Sequence, residues 1–340
     1  MSTSRKLESY WYIAAPSGEL RDRPIRRSVE GDELVLFRDS TGRPQALLDR
    51  CAHRGMALSA GRVAGDCVEC PYHGWRYDGS GKLRRLPALA EGETLPQPRS
   101  MRAYPAVERD GHVWVWTGRE PPDGEPFHFP YCGEPGWTTF FMHTRFEAPV
   151  EACLENFLDV PHTIFVHPGL FRGGEAKETR IRITRRGGSA VAEFLDEQEL
   201  KGWGPRLIAP RADRMEHSDR FLLPAITRVD YAFGDEYRFI ITSQCTARRA
   251  DVVDVTTAIT WRLRLPGWLL KPFLRLYCRH VILQDVDVLK IQGEQMRRFG
   301  KVELHTRADL LGRHIRTLRR WAADGGDEPE EVVRDVVMRI

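Results

Sequence analysis

The chain has 340 residues, 41% hydrophobic and 29% charged, with a formal net charge of only +3. That is the composition of a folded protein long enough for two domains, and the charge gives no footprint for nucleic acid. The N-terminus lacks the apolar core of a signal peptide, no run of about 18 uncharged apolar residues exists, and the seven cysteines are an odd number, so a reducing, cytoplasmic setting is expected.

From Tyr10 to about Gly118 the pattern is of short strands. IRRSVEG, ELVLFR and PQALLD are β-prone runs split by turn residues, YDGSGKL around Gly79 reads as a tight hairpin, and HVWVWTG closes the unit as a strand. The Pro- and Gly-rich stretch that follows reads as a linker, placing one domain at 1–125 and a second at 126–340. The second opens with a strand at WTTFFMHTRFEAP, then VEACLENFLDV with Val150, Leu154, Phe157 and Leu158 at helical spacing. Antiparallel pieces follow: RIRITRRGGSAVAEFL turning at Gly187-Gly188, RVDYAFGDEYRFIITSQ, and VVDVTTAITWRL. A helix is expected from Trp268 to about Phe299 and another from about Leu304 to Ala323, giving an α+β domain in which a helix covers an antiparallel sheet. PGWLLKPFLRLY, interrupted by Lys271, Pro272 and Arg275, is read as an ordinary packed segment, with a grazing contact with a membrane as the alternative. Phe157, Phe165, Leu222 and Ile240 read as core, with pocket lining as the alternative.

Two constellations carry chemistry. The first is Cys51-x-His53, then Cys70-x-x-His73. Two thiolates and two imidazoles suit either a zinc ion or a [2Fe–2S] cluster with Cys on one iron and His on the other. Each loop supplies one Cys and one His, which lets two short loops grip a flat cluster from opposite sides. Gly55, Pro71 and Gly74 suit tight loops whose N–H groups point at sulfur.

The second is Asp159-x-x-His162, with His167 five residues on. On a straight helix those two imidazoles would point about 140° apart, so they share a metal only if the helix breaks, and Pro161 and Pro168 supply the means. Iron(II) with open positions for dioxygen also wants a carboxylate. In CRHVILQDVDVLKIQGEQ, Asp285 falls on the apolar face with Val281, Ile282, Val288 and Leu289, whereas Asp287 falls opposite with Lys290. Asp285 is therefore the expected ligand, and Asp287 a solvated acid.

CAHRG…CPYHGWRYDGSGKL resembles the Rieske [2Fe–2S] motif. Met56 and Tyr72 stand where respiratory Rieske proteins carry a second cysteine in each loop, so the chain is similar to the oxygenase branch. Cys67 lies outside the ligand pattern and reads as a strand residue. Asn156, Asp159, His162, His167 and Asp285 match the order found in the oxygenase subunits of Rieske non-haem iron oxygenases.

This resemblance implies an all-β Rieske domain followed by a helix-grip, START-like iron domain, with Cys51, His53, Cys70 and His73 on the cluster and His162, His167 and Asp285 on the iron. It also implies a head-to-tail homotrimer in which electrons pass between neighbours from His73 through Asp159 to His162, with Asn156 and Asp159 as catalytic residues. Without a dinucleotide fingerprint or a second cluster motif, electrons from NAD(P)H would come through a separate reductase or ferredoxin. The length resembles the short trimeric oxygenases, including O-demethylases. The implied activity is monooxygenation of a small hydrophobic substrate by O2, with oxidative demethylation as the alternative. From another class, the competing reading is a Rieske electron-transfer protein with a ligand-binding domain, which has no need of the iron triad.

Overall fold

The computed structural model describes residues 7–90, 93, 100–170, 177–196, 215–302 and 304–340. The chain forms two compact units, one of Glu8–His128 with Thr246–Arg249, the other of Phe129–Cys245 with Ala250–Ile340.

Among the described residues the first unit holds eleven strands: β1 (Trp11–Pro16), β2 (Ile25–Val29), β3 (Asp32–Arg38), β4 (Pro44–Leu48), β5 (Arg62–Ala64), β6 (Cys67–Glu69), β7 (Arg76–Asp78), β8 (Leu83–Arg85), β9 (Ala103–Tyr104), β10 (Ala106–Arg109) and β11 (His112–Trp116). They form three small sheets, ordered β1-β11-β10, β2-β3-β4-β9 and β5-β6-β7-β8. The four-residue loop between β7 and β8 is the expected YDGSGKL turn: the Asp78 carboxylate accepts from the N–H groups of Ser80 and Lys82, and Gly81 takes φ +79°. Cys67 is an ordinary residue of β6. Val35, Phe37, Leu47, Val68, Trp75 and Tyr77 pack beneath the two Cys/His loops.

The second unit is built on one eight-stranded antiparallel sheet. Its strands are β12 (Thr138–Phe146), β13 (Glu178–Arg186), β14 (Ser189–Phe194), β15 (Met215–Leu222), β16 (Ile226–Phe233), β17 (Tyr237–Arg249), β18 (Val252–Arg262) and β19 (Val332–Arg339), in the order β12-β18-β17-β16-β15-β14-β13-β19. Its helices are α1 (Val150–Asn156), α2 (His162–Val166), α3 (Gly267–Phe299) and α4 (Gly312–Asp324). Leu270, Leu274, Tyr277 and Cys278 of α3 pack on Phe140, Phe239, Ile259 and Trp261 of the sheet, so the helix-on-sheet architecture read from the sequence is present. Helix α4 is tied to α1 by Arg316 on Glu155 and by Arg319 on Glu151.

Three expectations are corrected. Helix α4 begins at Gly312, not near 304, because Thr306 and Asp309 divert the backbone into side-chain hydrogen bonds: Asp309 accepts from Thr306 N–H, and Thr306 Oγ1 accepts from Ala308 N–H. A last strand, β19, follows the helices and pairs with β13. In PGWLLKPFLRLY, only one face packs inward; Trp268, Leu269, Phe273 and Leu276 are exposed.

Candidate metal centres

The two Cys/His loops share one construction. Cys51 N–H donates to Met56 O and Gly55 N–H to Cys51 O; Cys70 N–H donates to Trp75 O and Gly74 N–H to Cys70 O, all at 2.8–3.0 Å. Both loops turn on a glycine at positive φ, +71° at Gly55 and +69° at Gly74, and at Gly74 a Cβ would also strike Pro87 Cγ at 2.9 Å. The thiols of Cys51 and Cys70 are buried, while His73 reaches the surface with its ring 4.5 Å from that of His53. Around them, Tyr77 Oη lies 3.4 Å from Cys51 Sγ, the backbone N–H groups of Tyr72 and His73 face the Cys70 sulfur, and Trp75 stacks on His53 at 4.6 Å. Burial, with Cys51 alongside, pushes the Cys70 thiol up. Two adjoining buried thiols, with a hydroxyl and backbone N–H donors aimed at sulfur, fit a cluster that binds them as thiolates.

In the second unit, α1 ends at Asn156 and the chain turns through Leu158–Pro161 into α2, which is only five residues long. His162 is its first residue. His167 follows its last and has left helical geometry, at φ −119° and ψ 54°. The break needed by the five-residue spacing thus falls at His167 itself, and the imidazole rings come to 5.2 Å. Asp285 arrives from the buried face of α3, 8% exposed, whereas Asp287 is exposed. Its Oδ1 lies 3.5 Å from His162 Nε2 and 3.2 Å from His167 Nε2.

His162 Nε2, Asp285 Oδ1 and Asn156 Oδ1 are all buried without a hydrogen-bond partner. Such orphans are costly, and a cation among them removes the cost. Two imidazoles and one carboxylate are the donor set of a facial iron site. Burial pushes the Asp285 carboxyl up, but the two imidazoles outweigh it and hold the group below the usual carboxylate range. Against the pull of burial, Asp285 and Asp159 raise His162. Asp159 is itself pushed up to about 6, mainly by burial, and its carboxylate stands 3.9 Å from His162 Nδ1, which contacts the Asp159 carbonyl.

A cavity opens beside the triad. Its floor uses alternate residues of three strands, in cross-strand pairs Thr227–Ser243, Val229–Ile241 and Tyr231–Phe239, and Ser243 Oγ lies 2.9 Å from Thr257 Oγ1. Tyr277, Cys278 and Ile282 of α3 line it, as do Asn156 and Phe157. Of the four residues named in advance as core or lining, Phe157 lines the cavity and Ile240 is buried on the other face of its strand; Leu222 is half-buried, and Phe165 is 83% exposed.

Sequence reasoning did not find Gln284, whose Oε1 lies 2.8 Å from His167 Nδ1. The signal available was chemical: a histidine that offers Nε2 to a metal needs an acceptor for its Nδ1–H.

Residues 10–105 match the Rieske [2Fe–2S] domain family, and residues 146–324 match the vanillate O-demethylase oxygenase C-terminal domain family. The chain is 34% identical over 166 residues to the iron–sulfur subunit of the toluene-4-sulfonate monooxygenase system of Comamonas testosteroni, covering 48% of this chain and 47% of that one. It is 35% identical over 180 residues to the chloroplastic chlorophyllide a oxygenase of Chlamydomonas reinhardtii, covering 51% and 26%. The match thus spans about half the length of the first relative and about a quarter of the second. Dicamba monooxygenase bound to 3,6-dichlorosalicylic acid superposes with a TM-score of 0.79 at 20% identity, covering 94% of this chain and 99% of that one, which shows a shared fold.

Proposed function

We infer the activity from one premise: the chain belongs to the Rieske non-haem iron oxygenases, with a Rieske [2Fe–2S] domain followed by a vanillate O-demethylase-type oxygenase domain. The reaction is insertion of one oxygen atom of dioxygen into a small hydrophobic substrate. The second atom leaves as water, with two electrons and two protons supplied. Cys51, His53, Cys70 and His73 hold the cluster; His162, His167 and Asp285 hold one ferrous ion. When bound, these groups supply single electrons and the site of dioxygen reduction. The observation that carries this reading is the convergence of His162 Nε2, His167 Nε2 and the orphaned Asp285 Oδ1 beside an apolar cavity.

The remaining roles belong to the chain's own residues. Gln284 accepts from His167 Nδ1–H and so makes Nε2 the unprotonated donor nitrogen. Asn156 points a buried oxygen into the same space. The apolar walls exclude water, while Thr227, Ser243 and Thr257 offer hydroxyls that orient the substrate. The exposed edge of His73 is the electron exit, and Asp159, next to His162, is the entry on a neighbouring chain of a head-to-tail trimer. A separate reductase or ferredoxin feeds the electrons from NAD(P)H, and the odd number of cysteines, seven, favours a cytoplasmic setting. Oxidative demethylation is the second reading, favoured by the family of the C-terminal domain.

Reconstituted protein and reductase, incubated with a metabolite extract, are expected to yield products that gain an oxygen atom or lose a CH2 unit. Asp159→Asn is expected to keep both metal sites and lose most turnover, because an amide cannot accept from two imidazole N–H groups as a carboxylate does. Trimers mixing Asp159→Asn chains with His73→Ala chains regain activity only if the path crosses subunits. Mixed trimers as inactive as their parents would sink that route.

A further inference from the structure

Helix α3 has a second apolar face that the described residues leave largely exposed. At about 100° per residue, Leu269, Phe273, Leu276 and Leu283 form one stripe, about 110° around the helix from Leu270, Leu274 and Tyr277, which enter the core. The stripe is 50, 60, 70 and 47% exposed, and Trp268 beside it 76%. Single exposed hydrophobics are ordinary, but a row over successive turns, here Leu269, Phe273 and Leu276 before His280 interrupts it, marks an interaction surface.

The charges along its first half have one sign, whereas the exposed Asp287 follows Leu283 by one turn. From Leu263 to Gln284 the chain carries Arg264, Lys271, Arg275 and Arg279 and no Asp or Glu. By the same count, Arg275 and Arg279 run along one flank of the stripe. Exposed Trp, Phe and Leu beside unpaired cations are the composition of a helix lying in the plane of a bilayer, with cations at anionic headgroups. A two-fold contact with a second copy would bring like charges together, whereas an anionic lipid surface complements them. Among the described residues no helix is long and apolar enough to cross a membrane, so the fit is to a surface and not to a span.

We propose that the first half of α3 docks this chain on an anionic lipid surface. A groove between β12 and α3, lined by Phe141, Arg275, Arg279 and Leu283, opens next to the stripe, and Met142 and Ile282 form walls of both that groove and the cavity at the triad. Under the oxygenase reading, the groove is the route by which an apolar substrate passes from lipid to the cavity; the docking itself does not depend on that reading.

The test is flotation of the full chain with phosphatidylglycerol–phosphatidylcholine vesicles and with pure phosphatidylcholine vesicles. Partition is expected only with the anionic vesicles and is expected to weaken with added salt. Phe273→Ser/Leu276→Ser should weaken it about tenfold or more. Arg275→Gln and Arg279→Gln should each weaken it roughly fivefold. Should the stripe variant fail to fold, quenching of tryptophan fluorescence by brominated lipid, assigned to Trp268 by comparing the natural chain with Trp268→Phe, decides instead. The proposal is overturned if the natural chain stays with the soluble fraction or its Trp268 is not quenched. It is also overturned if the folded stripe variant floats equally well, or if that variant loses subunits by light scattering, which would make the stripe a contact between copies.

Discussion

Replacing Gln284 by Leu removes an acceptor 2.8 Å from His167 Nδ1 while keeping a similar side-chain volume. The His167 imidazole is only 2% exposed, so water does not readily take the acceptor's place. A buried N–H that loses its partner costs about 1–3 kcal/mol. Because the Nδ1–H tautomer is the one that leaves Nε2 to the metal, that cost falls on the metal-bound state. The expected loss in ferrous-ion affinity is therefore about 10–100-fold, the range seen when such supporting partners are removed. Gln284→Glu keeps an acceptor and adds charge, so it should bind at least as tightly as the natural chain. Anaerobic titration of iron-free protein with Fe(II), and with Co(II) followed by its visible spectrum, measures both. The Rieske absorption serves as the control for folding. Unchanged Fe(II) affinity in Gln284→Leu would refute the role assigned to this side chain, and with it the tautomer assigned to His167.

His162→Ala, His167→Ala and Asp285→Ala should each abolish turnover and leave the cluster spectrum intact, whereas exposed Asp287→Ala should retain most activity; an inactive Asp287→Ala beside an active Asp285→Ala would show that the wrong acid was chosen. Tyr77→Phe removes the hydroxyl 3.4 Å from Cys51 Sγ and should lower the cluster's reduction potential, read by redox titration of its visible spectrum. His314, 4% exposed, has its pKa held down to about 4 by burial and by the positive charges of Arg334, Arg185 and Arg313. Its folded pKa lies below the unfolded value of about 6.5, so the unfolded chain binds the extra proton, and stability should fall by up to about 3 kcal/mol as pH drops from 6.5 to 4. His314→Leu should flatten that part of the urea-midpoint profile; parallel profiles for the two chains would contradict it.

Much of the chemistry was legible because it is local. Cys51 with His53 and Cys70 with His73 lie within single short loops, so spacing alone brings each pair together. Helix phase separates Asp285 from Asp287, since two residues on a helix differ by about 200° whatever the rest of the chain does. The proline before His162 and the one after His167 signal a break, although where it falls, at His167 itself, was settled by packing.

What remained hidden depends on partners far away in sequence. A strand's period divides its residues into two faces but does not say which face meets the cavity, and a shift of one residue exchanges them. Ile241 lines the cavity while Ile240 turns away, an outcome fixed by the pairing of β17 with β16. Likewise, β19 gains its place only through β13, more than a hundred residues earlier. The segment from Trp268 to Leu276 shows the same division. Its hydrophobicity is plain in the sequence, but a helix laid on one sheet can bury only one side, and only the tertiary structure decides which apolar residues that leaves facing outward.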